Sequence, residues 1–424
     1  MLRRSARACA GVPCSTVNLP TAHRKAFVVT LGLLTAVAAL TVDISLPAIP
    51  AMVDALATTL SHGQQIVGIF MAGMALGQIP AGLLSDRMGR MPVLYAGMGV
   101  FMLAAFVAAS ATTIEVMLAA RFVQGFGAAS AIVLSRSIVR DVASGRDAAQ
   151  LMSLMTMIFT AAPVVAPSIG AFLTTHWGWR TPFIAIAAVS VVILVAIRSN
   201  LVETHAPNPD GHPLRQLSNS IREFFRHRQS IFGLLLLILP PAGYMSIIAV
   251  SSALAIEHYG VSVQAYGLIF ACAGLSILAG SFLNRILVMH FEQLELIGFG
   301  VTIMGIAGIQ LLLMAWLDAA PFWWLWACVC AFMFTIAILM ANATVLALDP
   351  LPTIAGVASS IIGTLQNLIG AAGALVGAAI YDGSVRNAVL IMGSVATAAT
   401  VIFLLRRWIA PGPLVHHPDE LARD

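Results

Sequence analysis

Two ionisable residues interrupt apolar stretches in which charge is expensive. Asp43 lies within Leu40-Thr-Val-Asp-Ile-Ser-Leu-Pro47, and Arg121 follows Ala119-Ala120 in a second apolar run. An isolated carboxylate at membrane depth costs several kcal/mol while charged, so Asp43 must be paired, reached by water, or protonated during part of a cycle. Each of the two lies about five residues inside one end of its run, roughly 7 Å at the helical rise. Equal depth on neighbouring helices lets them share one polar cavity. A carboxylate beside a fixed guanidinium titrates as a substrate comes and goes, so Asp43 is read as a proton carrier with Arg121 as its neighbour. A static pair that only fixes helix packing is the alternative.

The third charged group is a turn, Gly82-Leu-Leu-Ser-Asp-Arg-Met-Gly-Arg90. Ala55 to Ser85 and Val93 to Ile114 hold no Asp, Glu, Lys or Arg, so Asp86, Arg87 and Arg90 mark a brief exit from an apolar medium. Other chemistry is missing. There is no hydrolytic constellation and no phosphate-binding Gly-x-x-x-x-Gly-Lys-Ser/Thr loop, so neither an enzyme nor ATP-driven transport is indicated. The ten His residues form no metal-spaced cluster, and the five Cys residues form no disulfide framework. No cofactor or metal is expected. Nor is nucleic-acid binding, because no dense basic patch or stacking motif occurs.

The elements that must position these groups are membrane helices. The chain has 424 residues, 59% hydrophobic and 9% charged, against about 25% charged in a soluble domain. Twelve segments approach the roughly 20 apolar residues that a bilayer core requires. They cover 26–48, 64–84, 93–112, 116–137, 151–174, 181–198, 230–252, 263–284, 294–317, 322–345, 354–380 and 387–405. Spanning segments must satisfy their own backbone polar groups, and none of these alternates as barrel strands do, so all are read as helices. With both termini in the cytoplasm, 19 of the 22 Lys and Arg residues fall on the cytoplasmic side. Only Arg180 and Arg386 face outward, and Arg121 is buried in a span, as the positive-inside rule requires.

Residues 1–25 and 407–424 read as cytoplasmic tails. Residues 199–229 divide the spans into two sets of six, 26–198 and 230–406, and begin as a linker with Pro207, Pro209, Gly211 and Pro213. The run Ile221 to Arg228 reads as an amphipathic interfacial helix with Phe224 and Phe225 towards lipid, or equally as a plain surface helix. The halves echo one another: Gly82-x-x-x-Asp86-Arg87 is matched by Gly280-x-x-x-Asn284-Arg285. Paired six-helix repeats belong to transporters that rock one bundle against the other. In the fifth span Pro163 and Pro167 remove donors from one face, and Gly170 permits close packing. Gln124, Asn342, Gln366 and Asn367 offer uncharged hydrogen-bonding groups that line a pathway or pack helices. Tyr244 and Met245, after Pro240-Pro241, are placed to touch an apolar substrate. Phe322 to Trp326 reads as an interfacial anchor.

These motifs carry a family resemblance. Gly82-x-Leu84-x-Asp86-Arg87-x-Gly89-Arg90 resembles the signature loop between helices two and three of the major facilitator superfamily. Arg121-x-x-Gln124-Gly125-x-Gly127 is similar to its helix-four motif, and the Pro163/Pro167 segment resembles the helix-five antiporter motif with Ala replacing Gly. Three finer matches resemble the bicyclomycin-resistance-like drug–proton antiporters of bacterial inner membranes. These are Asp43-x-x-Leu46-Pro47-x-x-Pro50, Gly178-Trp179-Arg180 with Phe183, and Asn342-Ala-Thr-x-Leu346-Ala347-Leu348 followed by Ala355-Gly356-x-Ala358-Ser359.

The resemblance, over about residues 26–406, implies an all-α major facilitator fold. It has 12 transmembrane helices in two six-helix bundles with pseudo-two-fold symmetry. It also implies a monomer that exchanges protons for a small amphipathic drug or metabolite across a lipid bilayer, driven by the proton gradient. A dipeptide or metabolite exporter, proton-coupled uptake, and a non-transporting receptor or scaffold are the alternatives. By the same resemblance Gly82, Asp86, Arg87, Gly89 and Arg90 form a cytoplasmic gate. Asp86 is expected to pair with an Arg such as Arg140 and to lie near the start of helix eleven. Met91 departs from the family, where a further basic residue is common.

Overall fold

The computed structural model describes residues 21–143, 145–205, 213–318, 320–351 and 354–410. Most of both expected tails and the linker residues Pro207, Pro209 and Gly211 lie outside the described residues. Among those described, twelve helices are long and apolar enough to cross a bilayer. They are α1 (Thr21–Ser45), α2 (Leu60–Met88), α3 (Arg90–Ser110), α4 (Ile114–Val142), α5 (Gly145–Trp177) and α6 (Thr181–Asn200), then α7 (Arg228–Ala253), α8 (Val263–Leu287), α9 (Gln293–Leu317), α10 (Phe322–Leu348), α11 (Ala355–Ile380) and α12 (Val385–Leu404). Each predicted span falls on one of them. The first apolar segment runs further than expected, continuing through a tight turn at Leu46–Ala48 and a short helix Ile49–Ala55. Pro47 and Pro50 each sit in the first turn of the new element, where a missing N–H costs nothing.

Two six-helix bundles repeat one packing scheme. In the first, α1 packs on α4, α5 and α6, α4 on α2 and α3, and α3 on α6. Adding six to every number gives the contacts of the second: α7 with α10, α11 and α12, α10 with α8 and α9, and α9 with α12. The bundles meet where α2 packs on α11 and α5 on α8, a pair of contacts that the same shift exchanges. This is the pseudo-two-fold relation that the Asp86/Asn284 echo foreshadowed. It extends to single backbone contacts: Gly170 of α5 lies against the Ile44 carbonyl in α1, and Gly373 of α11 against Ala242 in α7. A Cβ at either glycine would overlap the facing backbone, so both sites hold the smallest residue.

The helical run before α7 starts earlier than expected, at Pro213, and ends at Phe224. Its two aromatic rings part company. Phe225 is exposed, whereas Phe224 is fully buried and is not the lipid anchor its sequence pattern indicated. The helix packs on α11, and Phe224 joins the buried core. Trp323 and Trp324 are exposed at the start of α10, as an interfacial anchor requires. Trp326 is buried and donates its indole N–H to the Ile269 carbonyl at 2.9 Å.

Candidate functional site

Asp43 lies at the seam between the bundles. It is 5% exposed and makes no ion pair or side-chain hydrogen bond among the described residues. In the opposite bundle Ser251 Oγ of α7 and the Tyr266 hydroxyl of α8 lie 2.7 Å apart. The contact of Gly170 with Ile44 pins α5 to α1 one residue away from Asp43. The same face of α5 then carries the seam: Pro167 and Ser168 lie against Gly267 of α8, Pro163 against Gly274, and Ser168 donates to the Gly267 carbonyl at 3.2 Å. On the other flank Ser61 of α2 donates to the Ala378 carbonyl of α11 at 2.7 Å, and Thr364 donates to Gln78 at 3.4 Å. Ser61 and Ala378 belong to the first turn of α2 and the last of α11, so these bonds close the Asp43 end and reach to mid-depth.

Arg121 turns the other way. It is wholly buried inside the first bundle, with Nη1 donating to Gln124 Oε1 at 2.8 Å and Nε to the Ile66 carbonyl at 3.4 Å. Its guanidinium stacks over Phe70 at 4.6 Å and Phe183 at 5.8 Å. These carbonyl, amide and π partners stand where a carboxylate would compensate the charge. Asp43 and Arg121 form no ion pair with each other. Arg121 Nη2, Gln124 Nε2 and both polar atoms of Gln64 are buried without a partner among the described residues. Of the two readings of Gln124, its bond to Arg121 matches helix packing.

The charged turn joins α2 to α3 through Gly89, whose φ of +96° only glycine adopts freely. Arg90 bridges two carboxylates, Nη1 on Asp86 and Nε on Asp141 at 3.0 Å, and also donates to Ser85 Oγ at 2.8 Å. The expected partner of Asp86 is corrected here. Arg140 donates to Ser137 on its own helix at 3.3 Å, while Arg90, one turn beyond Asp86, reaches both acids at once. Arg87 is exposed, and Gly82 faces Val133 of α4, with room for a Cβ between them. Glu203, after α6, accepts the backbone N–H groups of Arg90 at 2.8 Å and Met91 at 3.0 Å, capping α3. Thr204 joins the cluster through Asp141 at 2.9 Å.

The remaining pathway candidates divide. Tyr244 and Met245 are half-buried at the seam, where Gly370 of α11 fits between Met245 and Met71. Asn342 is buried within the second bundle, donating to Asn284 at 2.7 Å. Gln366 donates to the Leu237 carbonyl at 3.3 Å, and Asn367 to Gly363 at 3.0 Å. Sequence reasoning missed Asp141, Glu203, Tyr266 and Ser251. Asp141 had a weak signal, an acid at the charged end of a span. Glu203 had none, because its partners lie more than a hundred residues away.

The family model described as Major Facilitator Superfamily matches residues 31–374. The Bicyclomycin resistance protein homolog of Haemophilus influenzae is 30% identical over 343 residues, covering 80% of this chain and 85% of the relative. Multidrug resistance protein D of Escherichia coli is 28% identical over 338 residues, covering 80% and 84%. Among solved structures, a D-xylose–proton symporter superposes with a TM-score of 0.72 at 15% identity, covering 90% of this chain and 97% of that one. At that identity the likeness is one of fold.

Proposed function

The chain belongs to the Major Facilitator Superfamily, and we propose that it is a proton-coupled antiporter exporting small amphipathic molecules across the bacterial inner membrane. The observation that carries this reading is Asp43, buried and unpaired between two bundles that rock in an alternating-access cycle. A carboxyl group in that place changes its environment each time the bundles move, so proton binding and bundle position are linked. Relatives named for bicyclomycin and multidrug resistance support an efflux direction. A substrate-specific metabolite exporter would use the same seam and differ only in the groups around Tyr244 and Met245.

The distribution of Lys and Arg supports cytoplasmic termini, two bundles at 26–198 and 230–406, and a cytoplasmic linker at 199–229. In that orientation the Asp43 end faces outward, the Asp86 turn faces the cytoplasm, and the seam described above closes the outer side. Arg121 then serves as a fixed positive charge within the same bundle as Asp43, held by Gln124 and the Ile66 carbonyl. The charged turn, built on Gly82, Asp86, Arg87, Gly89 and Arg90, governs closure of the cytoplasmic side. The test is proton movement driven by amphipathic compounds in proteoliposomes, native against Asp43→Asn. A non-transporting receptor or scaffold would move none in either case.

A further inference from the structure

Four residues mark the face that α2 turns to α11. Ser61 donates to the Ala378 carbonyl, a Cβ at Gly68 would overlap Leu375, Met71 lies against Gly370, and Gln78 accepts from Thr364. Steps of three and seven residues keep one side of a helix against its neighbour. Gln64, three residues after Ser61 and four before Gly68, falls on that same side. Gly73, nine residues beyond Gln64 and so on the opposite side, meets the Phe122 carbonyl of α4. Gln64 therefore points into the seam between the bundles and away from α4.

On this face Gln64 differs from the other polar residues. Ser61 has its partner on α11, and Gln78 keeps one through Oε1 although its Nε2 is unpaired. Neither amide atom of Gln64 has a partner among the described residues. Gln64 is 0% exposed, so no water-sized space adjoins the amide. An amide enclosed without a donor or an acceptor raises the free energy of the conformation that encloses it. When the bundles part, this face of α2 is uncovered and water reaches both atoms. The cost belongs to the closed seam alone, where it works against the Ser61 bond and the contact of Gly68 with Leu375. We propose that Gln64 sets the poise of the transport cycle: its buried amide opposes closure of the Asp43 end and keeps that closed state from becoming a trap. The proposal rests on the reading of this chain as an alternating-access transporter and adds which residue drives the closed end open.

The test follows the seam directly. Spin labels at Thr112→Cys and His258→Cys, on the two bundles at the Asp43 end, report its opening by distance measurement in full-length protein in lipid nanodiscs, with the native cysteines replaced by serine. The comparison is made at one pH, where the native side chain at position 64 gives both a short and a long distance. Gln64→Met keeps the length of the side chain and removes its polar atoms, and should raise the short-to-long ratio roughly tenfold. Gln64→Leu should shift it in the same direction. Ser61→Ala, one turn away on the same face, removes a bond that holds the seam and should lower the ratio about threefold. A shift towards closure from Gln64 and towards opening from Ser61 is a pair of opposite signs that general loosening of α2 does not produce. A ratio in Gln64→Met at or below the native one, while Ser61→Ala lowers it, would overturn the role of Gln64 and leave alternating access in place. One unchanging distance in every variant, whatever amphipathic compound or pH is applied, would remove the underlying reading as well.

Discussion

Asn342 donates to Asn284 at 2.7 Å in the second bundle, and the equivalent helices of the first bundle place Asp141 and Asp86 together around Arg90. Two amides satisfy each other directly, one giving a proton and the other accepting it. Two carboxylates cannot, so the first bundle inserts a guanidinium between them. One structural junction is thus built twice, once from charge and once from neutral hydrogen bonds.

That difference predicts different responses to salt. Arg90→Gln leaves two carboxylates facing each other and should cost about 2 kcal/mol of stability. The gap from the native protein should narrow at high ionic strength, because Asp86 is half-exposed and screened. Asn342→Ala should cost about 1 kcal/mol and show no such narrowing. Thermal unfolding of purified protein in low and high salt distinguishes the two.

Glu203 gives a second prediction. Its carboxylate accepts N–H groups at the start of α3 and those of Thr204 and His205 at 3.2 Å each. Glu203→Ala should cost about 1 kcal/mol, as loss of a helix cap does. The Arg90 and Met91 amides should lose protection from hydrogen exchange, whereas the other end of α3 should not change. Equal exchange along the whole helix would contradict the cap.

The twelve spans and their pairing into halves were legible because lipid forces one solution on the backbone, and a run of twenty apolar residues has few other readings. The charged turn was equally visible, since Asp86 and Arg90 stand in an otherwise uncharged stretch. Their partners were not visible. Hydropathy fixes the depth of a residue but not the direction in which it points around its helix, so Asp43 and Arg121 looked like neighbours although Arg121 turns into the first bundle. Phe224 failed for the same reason: its amphipathic pattern was clear, and which of the two rings would be buried was not. Ser251 and Tyr266 carry no charge and lie in apolar runs, where only a three-dimensional contact distinguishes them from ordinary packing residues.

The backbone contact of Gly170 with Ile44 yields a third prediction. Gly170→Val should separate α5 from α1 and abolish transport, with a loss of stability of about 2 kcal/mol or more from overpacking. Gly99 of α3 has open space where a Cβ would stand. Gly99→Ala should therefore leave transport intact and should not lower stability. Transport assays paired with size-exclusion profiles check both.

The central claim is that Asp43 couples protons to the movement of the bundles. The most direct measurement uses proteoliposomes holding an inwardly acidic pH gradient, followed with a pH-sensitive dye while neutral, anionic and cationic amphipathic compounds are added in turn. The native protein should dissipate the gradient with at least one of these classes, and Asp43→Asn should not, although it folds and reconstitutes equally well. Dissipation by Asp43→Asn at the native rate would contradict the account.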